Sequence, residues 1–556
     1  MFRKCTLLIL CISLFLTACG AAGSGGSVSD AIPDSYRNYY EIFVYSFADS
    51  NGDGIGDLGG VMQKLDYVTD LGCNGIWLMP VMPSPTYHKY DVTDYRDIDP
   101  AYGTLDDLDA LISAAHERSV SVIIDLVINH TSLEHPWFQS AIGYLRTLSS
   151  GEQPDPAACP YVDYYHFATE PKDGAWYPVD GTPYFYEAVF WSEMPDLNLT
   201  SPKVLEELYD IADFWIGHGV DGFRMDAAMH YAENDPAGNA EILCKLQEHC
   251  RKQNRDFYIV SEVWASEQTM LSYYEGGAGS LFDFSHAGAE GDFIKTARGV
   301  ESAQSFVTHM TEWEEAMRSA DPDAINAPFL TNHDMGRVSN ALNGDPEAMK
   351  MAAALLLSQT GSPFIYYGEE LGMVSKGTKD ENKRLPMPWT LDGLHNSNGS
   401  GTGLHNDKKT GDLNCAGPAD ADDVVQRCDP AGKQIKDKDS LYHFYQKALG
   451  VRNRYPQIAR GRSVVVPVED VAVQEGVAVV YREWDGKEIY ILYNTGDAEA
   501  RLAPDEFVKA HVERGTANES AQPEPANVNT HPEPAIVSTL SVSGSEARIK
   551  KGEMIL

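Results

Sequence analysis

The chain has 556 residues, 43% of them hydrophobic, which exceeds the usual length of one simple domain and is enough to bury a large core. Its 82 acidic residues outnumber its 43 basic residues, giving a formal net charge of −39. A negative field of this size excludes nucleic acid and anionic membrane surfaces as partners and favours a neutral or cationic ligand, although a solvated surface that keeps an exported protein soluble explains the charge most simply.

The first residues form a predicted processing signal. Arg3 and Lys4 precede a short apolar run over 7–16, and the Leu-Thr-Ala-Cys-Gly segment over 16–20 resembles a bacterial lipobox. We expect a lipoprotein signal peptide over 1–18, a lipid on Cys19 and a flexible Gly/Ser-rich tether over 19–35. An ordinary secretory signal is the alternative. The protein is therefore expected to be exported and lipid-anchored to the cell envelope or cell surface, with that lipid as its only membrane contact.

A loop rich in Asp and Gly follows the first predicted strand. Oxygen-bearing residues at alternate positions, with glycines for a tight turn, suit Ca²⁺. The predicted ligands are Asp49, Asn51, Asp53, the Ile55 carbonyl and Asp57. The loop begins like an EF-hand but carries Gly60 where the twelfth-position glutamate would stand. A turn without metal is the alternative.

Eight strand candidates alternate with amphipathic helical stretches through the middle of the chain. The strands are predicted over 41–47, 75–80, 120–127, 221–227, 257–263, 280–285, 327–334 and 363–370, and helices include 105–118, 202–218 and 345–359. Strand alternating with helix predicts an α/β protein with a parallel sheet. Eight repeats predict a (β/α)8 TIM barrel, built from residues 36–130 and 201–460.

Two connections are longer than one helix requires. Residues 131–200, between the third and fourth strands, are rich in Tyr, Pro, Trp and Asp and are predicted to form an inserted domain, domain B. Residues 390–437 are polar and are predicted to form a long surface excursion.

The last part of the chain has a different pattern. Strands are predicted over 464–468, 477–484 and 488–493, with a hairpin turn at Asp485-Gly486. A loop over 516–535 and returning strands over 536–542 and 548–556 follow. Residues 461–556 are therefore predicted to form a separate all-β domain, a β-sandwich.

Six of the nine cysteines lie beyond the lipobox. Cys415 with Cys428, or Cys244 with Cys250, could form a disulfide in an exported protein, but spacing alone does not assign pairs. No cysteine–histidine spacing in the sequence matches a zinc site.

Four polar segments, over 125–130, 222–226, 261–264 and 331–334, lie at strand ends, as in an active site on the carboxyl face of a parallel barrel. Asp226 follows Arg224 by two residues, so both lie on one strand face and the arginine would hold the aspartate ionised. Glu262 ends the next strand, where an acid with a raised pKa would serve. Two such carboxyl groups can cleave a glycosidic bond, although any one alone could simply cap a helix.

These segments resemble those of the α-amylase family of glycoside hydrolases, and the resemblance extends from about residue 39 to the end of the chain. Supporting motifs lie at 87–95, 194–198, 361–370 and 384–389. The resemblance implies that Asp226 is the nucleophile, Glu262 the general acid and base, and Asp334 a ligand of the sugar hydroxyls. It also implies that Tyr90, His130, Arg224 and His333 bind the sugar in the cleaved subsite.

The resemblance also supports the calcium loop, and Asn129 matches an asparagine of a second calcium site that is common in the family. Retention through a covalent intermediate would hold the carboxyl groups of Asp226 and Glu262 roughly 5–5.5 Å apart. Aromatic residues of the inserted domain are candidates for stacking on glucose, with most expected in local core; they are Trp137, Tyr164, Tyr165, Trp176, Tyr184, Tyr186 and Trp191.

Subfamily features are mixed. Residues 87–88 and 227–230 favour α-amylases, whereas 55–57 and 194–198 favour oligo-1,6-glucosidases and neopullulanases, and Met229 stands where many α-amylases carry lysine. The mixture resembles bacterial α-amylases intermediate between the two types. The leading hypothesis is a monomeric, retaining, endo-acting α-amylase that hydrolyses α-1,4 bonds of starch and maltooligosaccharides. An exo-acting α-glucosidase or neopullulanase, a 4-α-glucanotransferase, and a non-catalytic glucan-binding lipoprotein are the alternatives.

Overall fold

The computed structural model describes residues 35–172, 174–232, 235–391, 413–466, 476–495, 500–502, 547–549 and 554–555. The predicted signal peptide, all but the last residue of the tether, the loop over 516–535 and the strand over 536–542 lie outside these ranges. Within them, no helix combines the length and the apolar character that crossing a bilayer requires.

The described strands are β1 (Tyr39–Ile42), β2 (Gly75–Leu78), β3 (Ser121–Leu126), β4 (Phe167–Ala168), β5 (Trp176–Pro178), β6 (Phe185–Glu187), β7 (Gly222–Met225), β8 (Tyr258–Ser261), β9 (Ser280–Phe282), β10 (Ile325–Ala327), β11 (Phe364–Tyr366), β12 (Arg462–Val466), β13 (Val477–Trp484), β14 (Lys487–Asn494), β15 (Ala500–Leu502), β16 (Ala547–Ile549) and β17 (Met554–Ile555). The described α-helices are α1 (Val44–Phe47), α2 (Leu58–Gln63), α3 (Leu65–Leu71), α4 (Leu105–His116), α5 (Pro136–Leu145), α6 (Pro202–Gly217), α7 (Pro236–Gln253), α8 (Glu267–Glu275), α9 (Asp292–Ala297), α10 (Ala303–Ala320), α11 (Val338–Ala341), α12 (Pro346–Leu357), α13 (Ala431–Gln434), α14 (Leu441–Arg454) and α15 (Gln457–Arg460).

Eight parallel strands form the predicted barrel, in the order β10-β9-β8-β7-β3-β2-β1-β11. A single bridge between Phe329 and Phe364 connects the last strand of this series to the first and closes the ring. The strands are almost wholly buried because helices cover their outer faces and side chains fill the interior. The (β/α)8 prediction is confirmed.

All eight predicted barrel strands end earlier than expected, and three of them end at least four residues early. The first stops at Ile42, and Val44–Phe47 forms α1 instead. Backbone N–H groups from distant loops satisfy its carbonyls, since Gly56 N donates to Tyr45 O (2.8 Å) and Met387 N donates to Ser46 O (2.9 Å). The predicted seventh strand, 327–334, ends at Ala327, and the eighth, 363–370, ends at Tyr366. In each case the apolar run continues past the sheet into the rim that carries the polar segments.

The predicted helices begin within one residue of their expected starts because each has a local start signal. Thr104 and Asp107 form a capping box at α4, Pro202 is the first residue of α6, and the Asp345 side chain accepts N–H bonds at the start of α12.

Residues 131–200 contain α5 and a small antiparallel sheet of order β4-β6-β5. A bridge between His130 and Asp196 connects this segment to the barrel, and a bridge between Tyr165 and Leu197 lies within the segment. Phe138 packs against Tyr165 and Tyr186 with ring centroids 5.0 Å apart, which gives the segment a core of its own.

The C-terminal part is antiparallel, as predicted, with sheets β12-β13-β14-β17 and β15-β16. Asp485 and Gly486 both have positive φ (52° and 67°), as the predicted hairpin turn requires. Glu314 of α10 accepts bonds from the Ser463 N–H (3.1 Å) and hydroxyl (2.6 Å), so this sheet is joined to the barrel wall.

The described part of the predicted surface excursion, 413–437, is not a loose surface loop. Cys415 is buried, Asp49 N donates to Leu413 O (3.1 Å), and Ala416 N donates to Gly54 O (2.8 Å). Backbone groups of Leu413 and Ala416 thus hold the start of this excursion against the first loop of the barrel. Neither cysteine pair forms a disulfide, since all six cysteines beyond the lipobox are free.

Candidate active site

Arg224 lies at the centre of the polar cluster at the carboxyl ends of the strands. Its Nη1 donates to Asp125 Oδ1 (3.0 Å) and Asp226 Oδ1 (2.5 Å), and its Nη2 is 2.9 Å from Glu262 Oε2. The arginine side chain is only 1% exposed. One buried guanidinium therefore holds three carboxyl groups from three neighbouring strands, β3, β7 and β8.

A strained turn places Glu262 beside Asp226. Ala227, directly after Asp226, adopts a left-handed conformation with φ 48°, which is uncommon for a residue other than glycine. Its N–H donates to Glu262 Oε2 (2.8 Å). The turn therefore aims a backbone donor at the carboxyl group predicted to act as acid and base.

His333 and Tyr90 form the wall beside this cluster. Their rings stack at 5.6 Å, and the Tyr90 hydroxyl lies 2.7 Å from His333 Nε2 and donates to Asp125 Oδ2 (3.1 Å). His333 Nδ1 lies 2.7 Å from Glu41 Oε1 at the end of β1. The imidazole is thus fixed between a buried carboxylate and the open site.

Asp334 is the most exposed of the predicted catalytic carboxyl groups. Its Oδ1 accepts a bond from Arg384 Nη2 (2.8 Å), and its Oδ2 lies 3.1 Å from His333 Nε2. Although burial acts to raise it, the charges of His333 and Arg384 lower the pKa of Asp334 well below its usual range. Burial lowers the pKa of His333, but Asp334 and Glu41 together raise it to about 9. The two residues form an ion pair at neutral pH.

Burial has the largest effect on the pKa values of the three carboxyl groups around Arg224. It raises the pKa of Asp226 and of Glu262 more than Arg224 lowers them, and it raises the pKa of Asp125 to about 7. The expectation that Arg224 alone keeps Asp226 ionised is therefore incomplete. One cation shared among three buried acids favours retention of a proton in the cluster.

The remaining predicted site residues lie at the edge shared with the inserted segment. His130 Nε2 is 3.2 Å from Tyr90 O, and burial lowers the pKa of His130 to about 4, so it is neutral. Asn129 Nδ2 donates to Asp196 Oδ1 (3.2 Å). Asn129 therefore belongs to the junction between barrel and insert and not to the Asp/Gly loop after β1.

Comparison with known proteins decides the family. Residues 41–461 match the family model described as alpha amylase, catalytic domain. The chain is 36% identical over 477 residues to alpha-amylase 3 of Dictyoglomus thermophilum, covering 83% of this chain and 85% of that protein. The chain belongs to the α-amylase family.

Other relatives of this α-amylase-family protein carry different names. It is 30% identical over 512 residues to an oligo-1,6-glucosidase of Heyndrickxia coagulans, covering 76% of this chain and 85% of that protein. The solved structure of Eubacterium rectale Amy13B matches with a TM-score of 0.83 and 37% identity, over 95% of this chain and 96% of that chain. The protein is therefore a glycoside hydrolase, and its relatives fit the predicted intermediate type.

The Asp/Gly loop of this glycoside hydrolase is folded by its own side chains. Asp49 accepts N–H bonds from Asn51 (3.1 Å), Gly52 (2.6 Å) and Gly54 (2.7 Å), and Asp53 Oδ1 accepts one from Ile55 (2.8 Å). Gly52 and Gly54 have φ of 90° and 96°, values that favour glycine.

Asp57 has a structural role in the same loop. Its carboxylate accepts bonds from the Ser50 N–H and hydroxyl and from Gly60 N, and it caps α2. The donor set of the loop is all oxygen, which fits Ca²⁺.

Most aromatic residues of the insert are local core, as expected, since Tyr164, Tyr165, Tyr184 and Tyr186 are buried. Sequence reasoning missed Phe190, which is 49% exposed and whose ring lies 5.5 Å from His130 and 5.1 Å from His230. Trp264, two residues after Glu262, is 48% exposed and stacks on Phe284. One exposed aromatic ring thus lies beside His130, and another follows Glu262 by two residues.

Three further polar residues of the family site received no role from the sequence. Asp125 and Glu41 interrupt apolar strand segments, and Arg384 lies in the 384–389 motif. In the sequence, each of the three stands out only as a charged residue within a run of otherwise buried residues. Their roles depend on partners across the barrel, such as Arg224 and His333.

Proposed function

We propose that the protein is a retaining, endo-acting α-amylase that hydrolyses internal α-1,4-glucosidic bonds of starch and maltooligosaccharides. The observation that carries the proposal is the pairing of Asp226 and Glu262 on the two nitrogens of one buried guanidinium. Such an arrangement presents two carboxyl groups to one bond, as double displacement requires, with an expected separation of roughly 5–5.5 Å.

In the proposed reaction Asp226 attacks the anomeric carbon while Glu262 protonates the departing oxygen. A covalent glycosyl-enzyme forms, and Glu262 then takes a proton from the water that releases the sugar, so two inversions give retention. Burial raises the pKa of Glu262, which suits a general acid, and the bond from Arg224 offsets part of the same effect of burial on Asp226. His333 and the low-pKa Asp334 are positioned to bind sugar hydroxyls.

Substitution of either acid tests the chemistry. Glu262→Gln is expected to lower kcat by about 10²- to 10⁴-fold, and Asp226→Asn at least as much, because each removes one of the two reacting groups. Activity on a maltooligosaccharide and the thermal midpoint should both be measured. The matched control is Glu275→Gln, an exposed glutamate in α8, which should retain full activity. Undiminished turnover in either active-site variant would refute the assignment.

Internal cleavage is supported by the exposed rings of Phe190 and Trp264, which suit a chain that extends beyond the cleaved bond in both directions. The relationship to an oligo-1,6-glucosidase favours one rival, an exo-acting glucosidase. Iodine staining and reducing-sugar release from soluble starch separate the two. Rapid loss of colour with little sugar released indicates internal attack, whereas sugar released while colour persists indicates end-on attack.

We propose that the loop over 49–57 binds Ca²⁺ through Asp49, Asn51, Asp53, the Ile55 carbonyl and Asp57, with a structural role. A ligand bound only by the folded state stabilises it, by about 2.7 kcal/mol at one hundred times its Kd. Chelation should therefore lower Tm, and excess Ca²⁺ should restore it. Asp53→Ala, at an exposed position, should remove most of this response. A Tm that is independent of calcium in the wild type would exclude the site.

We also propose that a lipid on Cys19 anchors the protein to the cell envelope, on the strength of the lipobox-like segment. Cys19→Ser should move the protein from the membrane fraction to the soluble fraction of cells that process lipoproteins. Retention of that variant in the membrane fraction would contradict the anchor.

A further inference from the structure

A cluster of carboxyl and imidazole groups lies on the connection from β9 to α10, apart from the catalytic residues. One ligand atom from each of Asp292, Glu301 and His309 lies within 4.8 Å of the other two. His309 Nδ1 and Asp292 Oδ2 are 3.2 Å apart. Asp292 begins α9, Glu301 directly precedes the N-cap of α10, and His309 lies nearly two turns into α10, so different segments converge here.

A fourth side chain, the buried imidazole of His286, is directed at Asp292 of this cluster. The side chain of His286 is 1% exposed, and its Nε2 is 3.5 Å from Asp292 Oδ2 and 3.5 Å from Glu267 Oε1. Among the described residues this nitrogen has no hydrogen-bond partner. It is therefore a buried imidazole nitrogen aimed at a group of carboxylate oxygens without a bond of good geometry to any of them.

The other nitrogen of His286 is held in the manner of a metal-binding histidine. Its Nδ1 lies 2.6 Å from Asp283 Oδ1, and Asp283 is itself bound by Ser285 (2.9 Å) and Asn326 (3.1 Å). A carboxylate on one ring nitrogen fixes the tautomer and directs the other nitrogen at a metal.

The charges in the cluster call for a cation. Burial and then the neighbouring charge of Asp292 raise the pKa of Glu301. Burial lowers the pKa of His286, but Asp283, Asp292 and Glu267 together raise it to about 9. Both shifts show an excess of negative charge around these side chains, which a bound cation would offset.

We propose that Asp292, Glu301, His309 and His286 form a binding site for a divalent transition-metal ion of the zinc class. Two imidazole nitrogens and two carboxylate oxygens suit such an ion, whereas Ca²⁺ prefers oxygen alone. Metal–ligand bonds of about 2.0–2.2 Å in a tetrahedron place neighbouring ligand atoms about 3.3–3.6 Å apart. The 3.2 and 3.5 Å separations around Asp292 Oδ2 are close to this spacing. The rings of His286 and His309, with centroids 6.2 Å apart, would draw together when the ion binds.

Four protein ligands leave no open position, so the site is structural and not catalytic. The ion would cross-link the loop after β9 to α9 and α10. The same helix, α10, carries Glu314, which bonds Ser463 of the C-terminal sheet, and the Ala303 N–H at its start donates to Thr495 Oγ1 (3.1 Å). A metal here would therefore brace the helix on which the C-terminal sheet rests.

Calorimetric titration of the protein with ZnCl2 tests the proposal. The protein should carry no histidine tag, should first be stripped with a chelator, and should then be saturated with Ca²⁺ at pH 8 so that the loop over 49–57 does not contribute. About one zinc ion should bind per chain. His309→Ala and Asp292→Asn should each weaken that binding at least roughly tenfold. His309 is 56% exposed, so its removal should not prevent folding.

The matched control is His249→Ala. His249 lies 2.6 Å from Asp213 but outside any described group of three metal-ligating side chains. It should bind zinc as the wild type does. Cobalt substitution gives a second readout, with visible absorption of a four-coordinate site in the wild type and none in His309→Ala. Zinc affinity equal in the wild type and His309→Ala, or a loss in His249→Ala equal to that in His309→Ala, would overturn the site.

Discussion

Arg224 shows how one residue can organise a catalytic centre. Its buried guanidinium contacts Asp125, Asp226 and Glu262, so the acids sit at fixed positions before any sugar binds. Preorganised charge in a site of low dielectric costs no reorganisation during the reaction. The same burial means that the arginine cannot be removed without leaving negative charge uncompensated.

Replacing Arg224 therefore tests how much this residue contributes to the stability of the folded protein. Arg224→Met is expected to destabilise the protein by about 3–5 kcal/mol, because it leaves Asp125 buried without its cation. Urea unfolding measures the change, and Arg251→Met, at an exposed position on α7, is the control. A loss below about 1 kcal/mol, the range of surface ion pairs, would show that the cluster is not desolvated.

His333 predicts a dependence of stability on alkaline pH. Its folded-state pKa of about 9 lies above the unfolded value of about 6.5. Stability from its charged contacts with Glu41 and Asp334 is fully present below about pH 6.5 and is lost as pH rises through about 9. The loss should be on the order of 3 kcal/mol.

Denaturant unfolding at pH 6.5 and 9.5 measures this loss, and His333→Gln should show a smaller one. The pKa of Asp334 is lowered, so its own contribution is lost only in acid and does not affect this window. Equal pH dependence in the wild type and the variant would contradict the assignment.

Residues that follow a strand directly could be predicted from sequence, because strand ends meet at one rim of a barrel. Asp226 and Glu262 are of this kind, whereas Asp334 lies in the rim seven residues beyond the end of β10. Asp125, Glu41 and Arg384 were not assigned roles because each acts through a partner from a distant strand or loop. The pKa of Asp125, for example, depends on burial and on Arg224, neither of which a local pattern contains.

At the scale of elements, helix starts were more predictable than strand ends. Caps such as Thr104 and Asp345 are local signals, whereas a strand ends where its neighbour stops pairing. The apolar runs after Ile42 and Ala327 continue into the rim of the barrel. There, hydrogen bonds to loops and side chains replace the hydrogen bonds between neighbouring strands. Length of an apolar run therefore overstates strand length in this barrel.

The contact between the C-terminal sheet and the barrel predicts one shared unfolding transition. Buried Arg482 of β13 donates to the carbonyls of Ser358 (2.5 Å) and Ile458 (2.8 Å) and to Ser463 Oγ (2.8 Å). Arg482→Met should cost about 1–3 kcal/mol, since it leaves buried acceptors unsatisfied. Calorimetry should still show a single transition, and Arg462→Met, an exposed position on β12, should have little effect. A separate early transition for the sheet would disprove the coupling.

At the scale of the whole molecule, charge repulsion opposes compactness. A net charge of −39 predicts that NaCl raises Tm by a few degrees between low salt and about 0.5 M, because the Debye length shortens from about 30 Å at 0.01 M to a few ångströms. Differential scanning calorimetry at saturating Ca²⁺ measures the shift. KM for a neutral glucan should change little in the same series. A Tm that falls with salt would mean that attractive ion pairs outweigh the repulsion.

The barrel cannot close until the ribosome has synthesised its last strand, β11. Strand β1 pairs with β2 on one side and with β11 on the other, and Arg37 N, just before β1, reaches Ser362 Oγ across 325 residues of chain. A ribosome adding about 5–20 residues per second needs roughly 16–65 s to supply that partner. During that interval β1 remains an open edge that can pair with other chains. Slower elongation over the second half of the message should therefore increase aggregation of the nascent protein.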